Sequence, residues 1–187
     1  MAHRPAALLL ASLLLFLGSS AAGLAAASKK TESQSETRQI GSFQSWSAYE
    51  YTTEKGAKLC YLYSVPEKKL PVGAKRGEIY ILVTHKPKEK IRNEVSIYFG
   101  YPLKENVSAQ AIVGNTTIDM FTHEEAAWAA DSATDQKLVE LFRKGSTLVV
   151  KGESTRGTKT TDTYDLNGFT AALHAIDKAC HVGGATS

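Results

Sequence analysis

Glu94-Val95-Ser96-Ile97-Tyr98-Phe99-Gly100-Tyr101-Pro102 is the stretch on which the fold turns. Val95, Ile97 and Phe99 alternate with Ser96 and Tyr98, the period of a strand with one face in a core. Gly100-Tyr101-Pro102 ends the run, because proline cannot continue a central ladder. Working outward, the same signal recurs on both sides. Upstream, Trp46–Thr52 is short and aromatic, and Glu54-Lys55-Gly56 supplies a turn. Lys58–Val65 sets Leu59, Tyr61 and Tyr63 against Cys60, Leu62 and Ser64. Both faces are rather apolar, as in a central strand. Pro66 and the charged residues to Pro71 end it. Glu78–Thr84 reads as a buried strand, turned by Pro87 and its lysines. Downstream come shorter strands at Ala109–Val113, Thr116–Phe121 and Glu125–Trp128, with a tight hairpin turn at Gly114-Asn115. Ser146–Ser154 and Lys159–Leu166 pair around Arg156-Gly157.

Two segments change period. Leu138, Leu141 and Phe142 share a helical face, Ser132 and Asp135 form an N-terminal capping pattern, and Gly145 follows Arg143 and Lys144 as a stop. Phe169, Leu173, Ile176 and Cys180 recur at i, i+4, i+7 and i+11, with Asn167 as the expected N-cap. Many short antiparallel strands with turns between them predict a mainly β protein, a β-sandwich. A short crossover helix and a C-terminal helix pack on it. Trp46 and Trp128 are expected in its core, where large aromatics contribute most.

The N-terminus reads as an export signal. His3 and Arg4 begin it, Ala6–Leu17 is apolar but too short to span a bilayer, and Ala25-Ala26-Ala27 fits the cleavage pattern. A cut after Ala22 is the alternative, and an uncleaved anchor is disfavoured by the short apolar run. The signal peptide is therefore residues 1–27. Residues 28–41 are expected to be a flexible leader, since 28–39 hold almost nothing apolar to offset ordering. A single domain follows at 42–182, and 183–187 form a disordered tail. Order is expected to start between Ile40 and Trp46. No later segment is apolar enough to cross a membrane.

Export places the two cysteines, Cys60 and Cys180, in an oxidising compartment. Their even count, and the place of Cys180 on the apolar stripe, predict a disulfide from an early strand to the last helix.

The 187-residue chain has a formal net charge of +3, which falls to +2 with the loss of Arg4. That is weak attraction for any polyanion. Lys86-Pro87-Lys88-Glu89-Lys90 is mixed in sign and reads as a solvated loop, so nucleic-acid binding is not expected. Four histidines follow the signal: His85, His123, His174 and His181. None has the close spacing of a zinc pair. His123-Glu124-Glu125 is explained more simply by a solvated turn than by metal binding. There is no Gly-x-Ser-x-Gly elbow, dinucleotide fingerprint or Walker loop. No catalytic residue, metal or cofactor is assigned. Asn106-Val107-Ser108 and Asn115-Thr116-Thr117 read as turns rather than glycosylation sites.

A resemblance to a known family rests on an ordered set of segments. They are Cys60-Tyr61-Leu62-Tyr63-Ser64-Val65-Pro66, Glu94–Pro102, Ala126-Ala127-Trp128-Ala129, Val150–Thr158 and Asp162–Ala172, with a cysteine closing the last helix. The set resembles the invasion associated locus B family of exported bacterial proteins, over about Trp46 to Cys180. The resemblance implies an immunoglobulin-like β-sandwich in the periplasm or at the cell surface, with a link to host-cell invasion in some members. It supplies no reaction and no catalytic residues.

The expected function is non-catalytic: binding an envelope or host protein, or supporting the surface. The candidate surface is the polar hairpin with Arg156, Gly157, Thr158, Lys159 and Asp162. It presents guanidinium, ammonium and hydroxyl groups, although turn chemistry explains most of the same residues. A carrier of a small apolar ligand and a hydrolase without a recognisable motif are the alternatives.

Overall fold

The computed structural model describes residues 35–182. The expected signal peptide, the first part of the leader and the tail at 183–187 lie outside the described residues. Eleven strands occupy the described chain: β1 Glu36–Phe43, β2 Trp46–Thr52, β3 Lys58–Ser64, β4 Lys68–Leu70, β5 Tyr80–Lys86, β6 Ile91–Tyr98, β7 Ala109–Val113, β8 Thr116–His123, β9 Ala126–Trp128, β10 Thr147–Glu153 and β11 Lys159–Asp165. Helix α1 spans Ser132–Lys144 and α2 spans Phe169–Ala179.

All pairings between these strands are antiparallel, in the order β1-β2-β3-β5-β6-β9-β8-β7-β10-β11-β4. The fold is thus the expected mainly β, sandwich-like architecture with a crossover helix and a C-terminal helix. Its layers are continuous through β8. Residues 116–120 of that strand pair with β7, whereas residues 121–123 pair with β9.

Period two decides which side chains go inward. Ala48, Leu62, Val83 and Val95 lie opposite one another across β2, β3, β5 and β6. Ala111, Val113, Ile118, Met120, Leu148, Val150 and Tyr164 supply the matching face of the other layer. Burying each large aliphatic side chain contributes about 1.5–3 kcal/mol. Helix α2 covers β1, β2 and β3, while α1 lies against β6. Phe169 of α2 meets Trp46 edge-on at 5.0 Å and Phe142 of α1 at 5.4 Å.

The disulfide joins Cys60 in β3 to Cys180 at the end of α2, as expected. Both cysteines are buried. Beside it, His85 stands opposite Cys60 across the β3–β5 pair. The Asn93 backbone N–H donates to His85 Nδ1 at 3.1 Å, so Nε2 carries the proton and donates to Asp177 Oδ1 at 3.1 Å. Burial raises the Asp177 carboxyl, but His85, Arg92 and Arg143 outweigh it and hold it below its ordinary value. These contacts pin α2 to β5.

Four expectations are corrected. The segment expected to be leader contains a strand from Glu36, because β1 pairs with β2 from Glu36↔Thr52 to Phe43↔Trp46. An edge strand is held by backbone hydrogen bonds and needs few apolar side chains. The charged stretch before Pro71 contains a strand, β4, paired to β11. Helix α1 is capped by Asp131, whose carboxylate accepts the Thr134 N–H at 2.8 Å, not by Ser132. At α2 the cap is Gly168 with φ 89°, not Asn167. A Cβ at Gly168 would collide with the Phe43 carbonyl, so the close packing of β1 demands glycine there.

Asp135, in the first turn of α1, accepts the Val95 N–H at 2.8 Å and stabilises β6 beyond the end of β9. Burial, with help from Glu94 and Asp131, pushes its carboxyl up to about 6. The folded value lies above the ordinary one, so ionised Asp135 is a cost to folding. That cost is absent below about pH 4, grows up to about pH 6 and is full above it. Asn keeps the acceptor for Val95. Asp135→Asn should therefore raise stability by ~1–2 kcal/mol at pH 8, allowing for solvent screening of a half-buried group, and by almost nothing at pH 4. Urea unfolding at the two pH values measures this.

Candidate functional site

The β10–β11 hairpin ends in the turn Ser154–Thr158. Ser154 N–H donates to the Thr158 carbonyl at 2.9 Å, Gly157 N–H to the Ser154 carbonyl at 2.8 Å, and Thr158 N–H to Ser154 Oγ at 3.1 Å. Gly157 has φ 80°, which only glycine adopts without strain, and this leaves Arg156 projecting at the tip. The Thr155 N–H donates to the Pro102 carbonyl at 3.0 Å. That bond fixes the tip against the chain that follows β6.

A third segment faces the tip. The loop from Pro71 to Arg76, between β4 and β5, completes a cleft of about 580 Å³ with Tyr101, Pro102, Thr155, Arg156 and Thr158. Arg76 forms its floor. Its guanidinium forks onto Asp162 at 2.7 and 2.6 Å, and its Nε–H donates to the Phe99 carbonyl at 3.0 Å. It also lies 5.0 Å from the Tyr101 ring centre. The side chains of Arg76 and Asp162 are only 5% and 1% exposed, so this pair is sealed. Tyr101 shares a 2.6 Å hydrogen bond with Thr160. Burial raises the Tyr101 hydroxyl above its ordinary value.

The floor is therefore neutral and internally satisfied, and the open chemistry is at the rim. Arg156 and Lys75 line the cleft and have no ion pair among the described residues. Glu125 is the opposing charge on the lining. The hydroxyl residues Thr155 and Thr158 are exposed, and Val72 is 86% exposed on the facing loop. Guanidinium, ammonium and hydroxyl groups beside an apolar contact suit an anionic segment of a partner.

The five hairpin residues singled out by sequence thus separate. Arg156 and Thr158 line the cleft, and Gly157 shapes the turn. Lys159 is exposed but borders a different hollow, with Val107 and Lys151. Asp162 is corrected: it is buried under the hairpin and engaged by Arg76. Strand alternation from Thr160 turns it inward. Sequence reasoning missed Lys75, Arg76 and Tyr101. The Arg76–Asp162 contact spans 86 residues, and Lys75-Arg76 in a loop carries no local mark of it.

Trp128 is a further correction. It is only half-buried, because β9 turns Ala127 inward and Trp128 outward, where it stacks on Phe121 at 5.6 Å. The side chains of His123, the last residue of β8, and Glu124, in the turn after it, are 74% and 83% exposed.

Residues 46–177 match a family model described as invasion associated locus B (IalB) protein. No curated protein and no solved structure matches the chain.

Proposed function

Because this chain belongs to the invasion associated locus B family, a family of exported proteins, we propose that it is an envelope protein that acts by binding and not by catalysis. The docking site is the cleft between the Ser154–Thr158 turn and the Pro71–Arg76 loop, and its partner is an envelope or host protein with an acidic segment. Its place is the periplasm or the cell surface. The family name connects the role to invasion, and the disulfide fits an oxidising compartment.

One observation carries the reading. The buried charges beneath the cleft neutralise each other, whereas Arg156 and Lys75 at its rim are left without partners among the described residues. Such an arrangement presents charge outward. A nucleophile–base pair would instead need reactive groups held together and open to substrate.

Arg156→Ala with Lys75→Ala should leave the unfolding midpoint nearly unchanged, since exposed substitutions change stability by about 0.5 kcal/mol or less. It should sharply reduce capture of a purified partner identified by pull-down from envelope or host-membrane extract. Wild-type capture should also weaken with added salt. Equal capture by the double variant would remove the cleft from the mechanism.

A further inference from the structure

Where β9 ends and β6 runs on, beside the first turn of α1, lies a second cavity of about 550 Å³. Phe121 and Trp128 form an aromatic wall, their rings 5.6 Å apart and tilted by 24°. Phe121 is 51% exposed, unusually so for a large apolar ring here. Asp135, half-buried, lines the same cavity, with Oδ1 fixed by the Val95 N–H.

The other charges around this cavity are mostly accounted for. Glu94 accepts from Lys86 at 2.6 Å, Arg92 lies 3.4 Å from Asp177, and Asp131 caps α1. Asp135 has no cationic partner among the described residues. Lys90 and His123 are exposed at the lining. A carboxylate held in place without a counter-charge, in a cavity shared with stacked aromatic rings, is chemistry that attracts an organic cation. Rings offer their electron-rich faces, and the carboxylate supplies a charge-assisted hydrogen bond.

We propose that the Phe121–Trp128–Asp135 cavity binds an alkylammonium or guanidinium group. Two sources offer this chemistry: a free polyamine, and a lysine or arginine side chain of a polypeptide. The site is separate from the cleft beside Arg156 and takes the opposite charge. Burial, helped by Glu94 and Asp131, holds its carboxyl at about 6 without ligand. Binding should therefore fade as the pH falls through about 6. Lys90, Arg92, Glu94, His123 and Asp131 also face the cavity. The pH dependence should persist in His123→Gln and vanish in Asp135→Asn.

The test uses the mature protein, with spermidine and an acetylated, amidated tetrapeptide containing one arginine as probes, and an acetylated glutamate amide as the anionic control. Trp46 is fully buried, so quenching by the probes reports on Trp128. Calorimetry follows the variants. Saturable binding of at least one cationic probe is expected, and the stronger of the two identifies the source. Asp135→Asn should weaken it about tenfold and flatten its pH dependence, and Phe121→Ala should also weaken it. Lys90→Ala should leave it unchanged or tighten it, by removing a competing ammonium. No saturable binding of either probe at millimolar concentration would overturn the proposal. So would equal binding by Asp135→Asn, or equal affinity for the anionic control.

Discussion

Cys60→Ser combined with Cys180→Ser is expected to cost about 4–5 kcal/mol of stability, the upper end of the chain-entropy relation for a loop closed across 120 residues. Residual structure in the unfolded chain would lower the figure. Two buried hydroxyls would add to the cost, since both sites are sealed from water. Helix α2 should loosen first, because the bond joins its end to β3. The measurement is urea unfolding of wild type with and without reductant, beside the double variant. If reduction moved the midpoint by less than the equivalent of about 1 kcal/mol, the bond would not be a main support of the fold.

The second large effect is at the cleft floor. Arg76→Ala would leave the Asp162 carboxylate without its cation at 1% exposure, and Asp162→Asn would strand the guanidinium. Breaking a buried pair from one side costs about 3–5 kcal/mol. Arg76→Met with Asp162→Leu removes both charges at once and should recover much of that loss. Thermal and urea unfolding of the three variants decides the matter. If the double variant were as unstable as the sum of the singles, packing and the Phe99 carbonyl contact would dominate over charge. Either single change should also disturb the cleft, because Arg76 holds the Pro71–Arg76 loop to β11. This separates it from Arg156→Ala, which acts at the tip and leaves the floor intact.

What could be read from the sequence follows from distance along the chain. Val95, Ile97 and Phe99 alternate within a few residues, so β6 declares itself locally. The stripe through Leu173, Ile176 and Cys180 does the same for α2, and export chemistry supplies the partner of Cys180. Glu36–Phe43 and Lys68–Leu70 give no such sign. They are edge strands whose hydrogen bonds come from the backbone, and Lys68 and Lys69 are exposed. Trp128 misled because a large aromatic favours burial, whereas a three-residue strand offers too short a period to show which face it takes. The cleft was legible only at Arg156 and its turn. Its other walls arrive from segments remote in sequence, and Asp162 could not be told from an exposed hairpin acid until Arg76 was found against it.

The disulfide also sets an order of events. A chain that emerges from its N-terminus presents Cys60 long before Cys180, with ten of the described elements, from β4 to α2, falling between them. During that interval Cys60 has no correct partner within the chain, and as the earlier of the two cysteines it cannot pair wrongly inside the chain either. Covalent closure is then a signal of completion: an oxidised chain is one whose last helix has already arrived. Truncations lacking α2 should accumulate with a free thiol at Cys60, open to capture by another molecule.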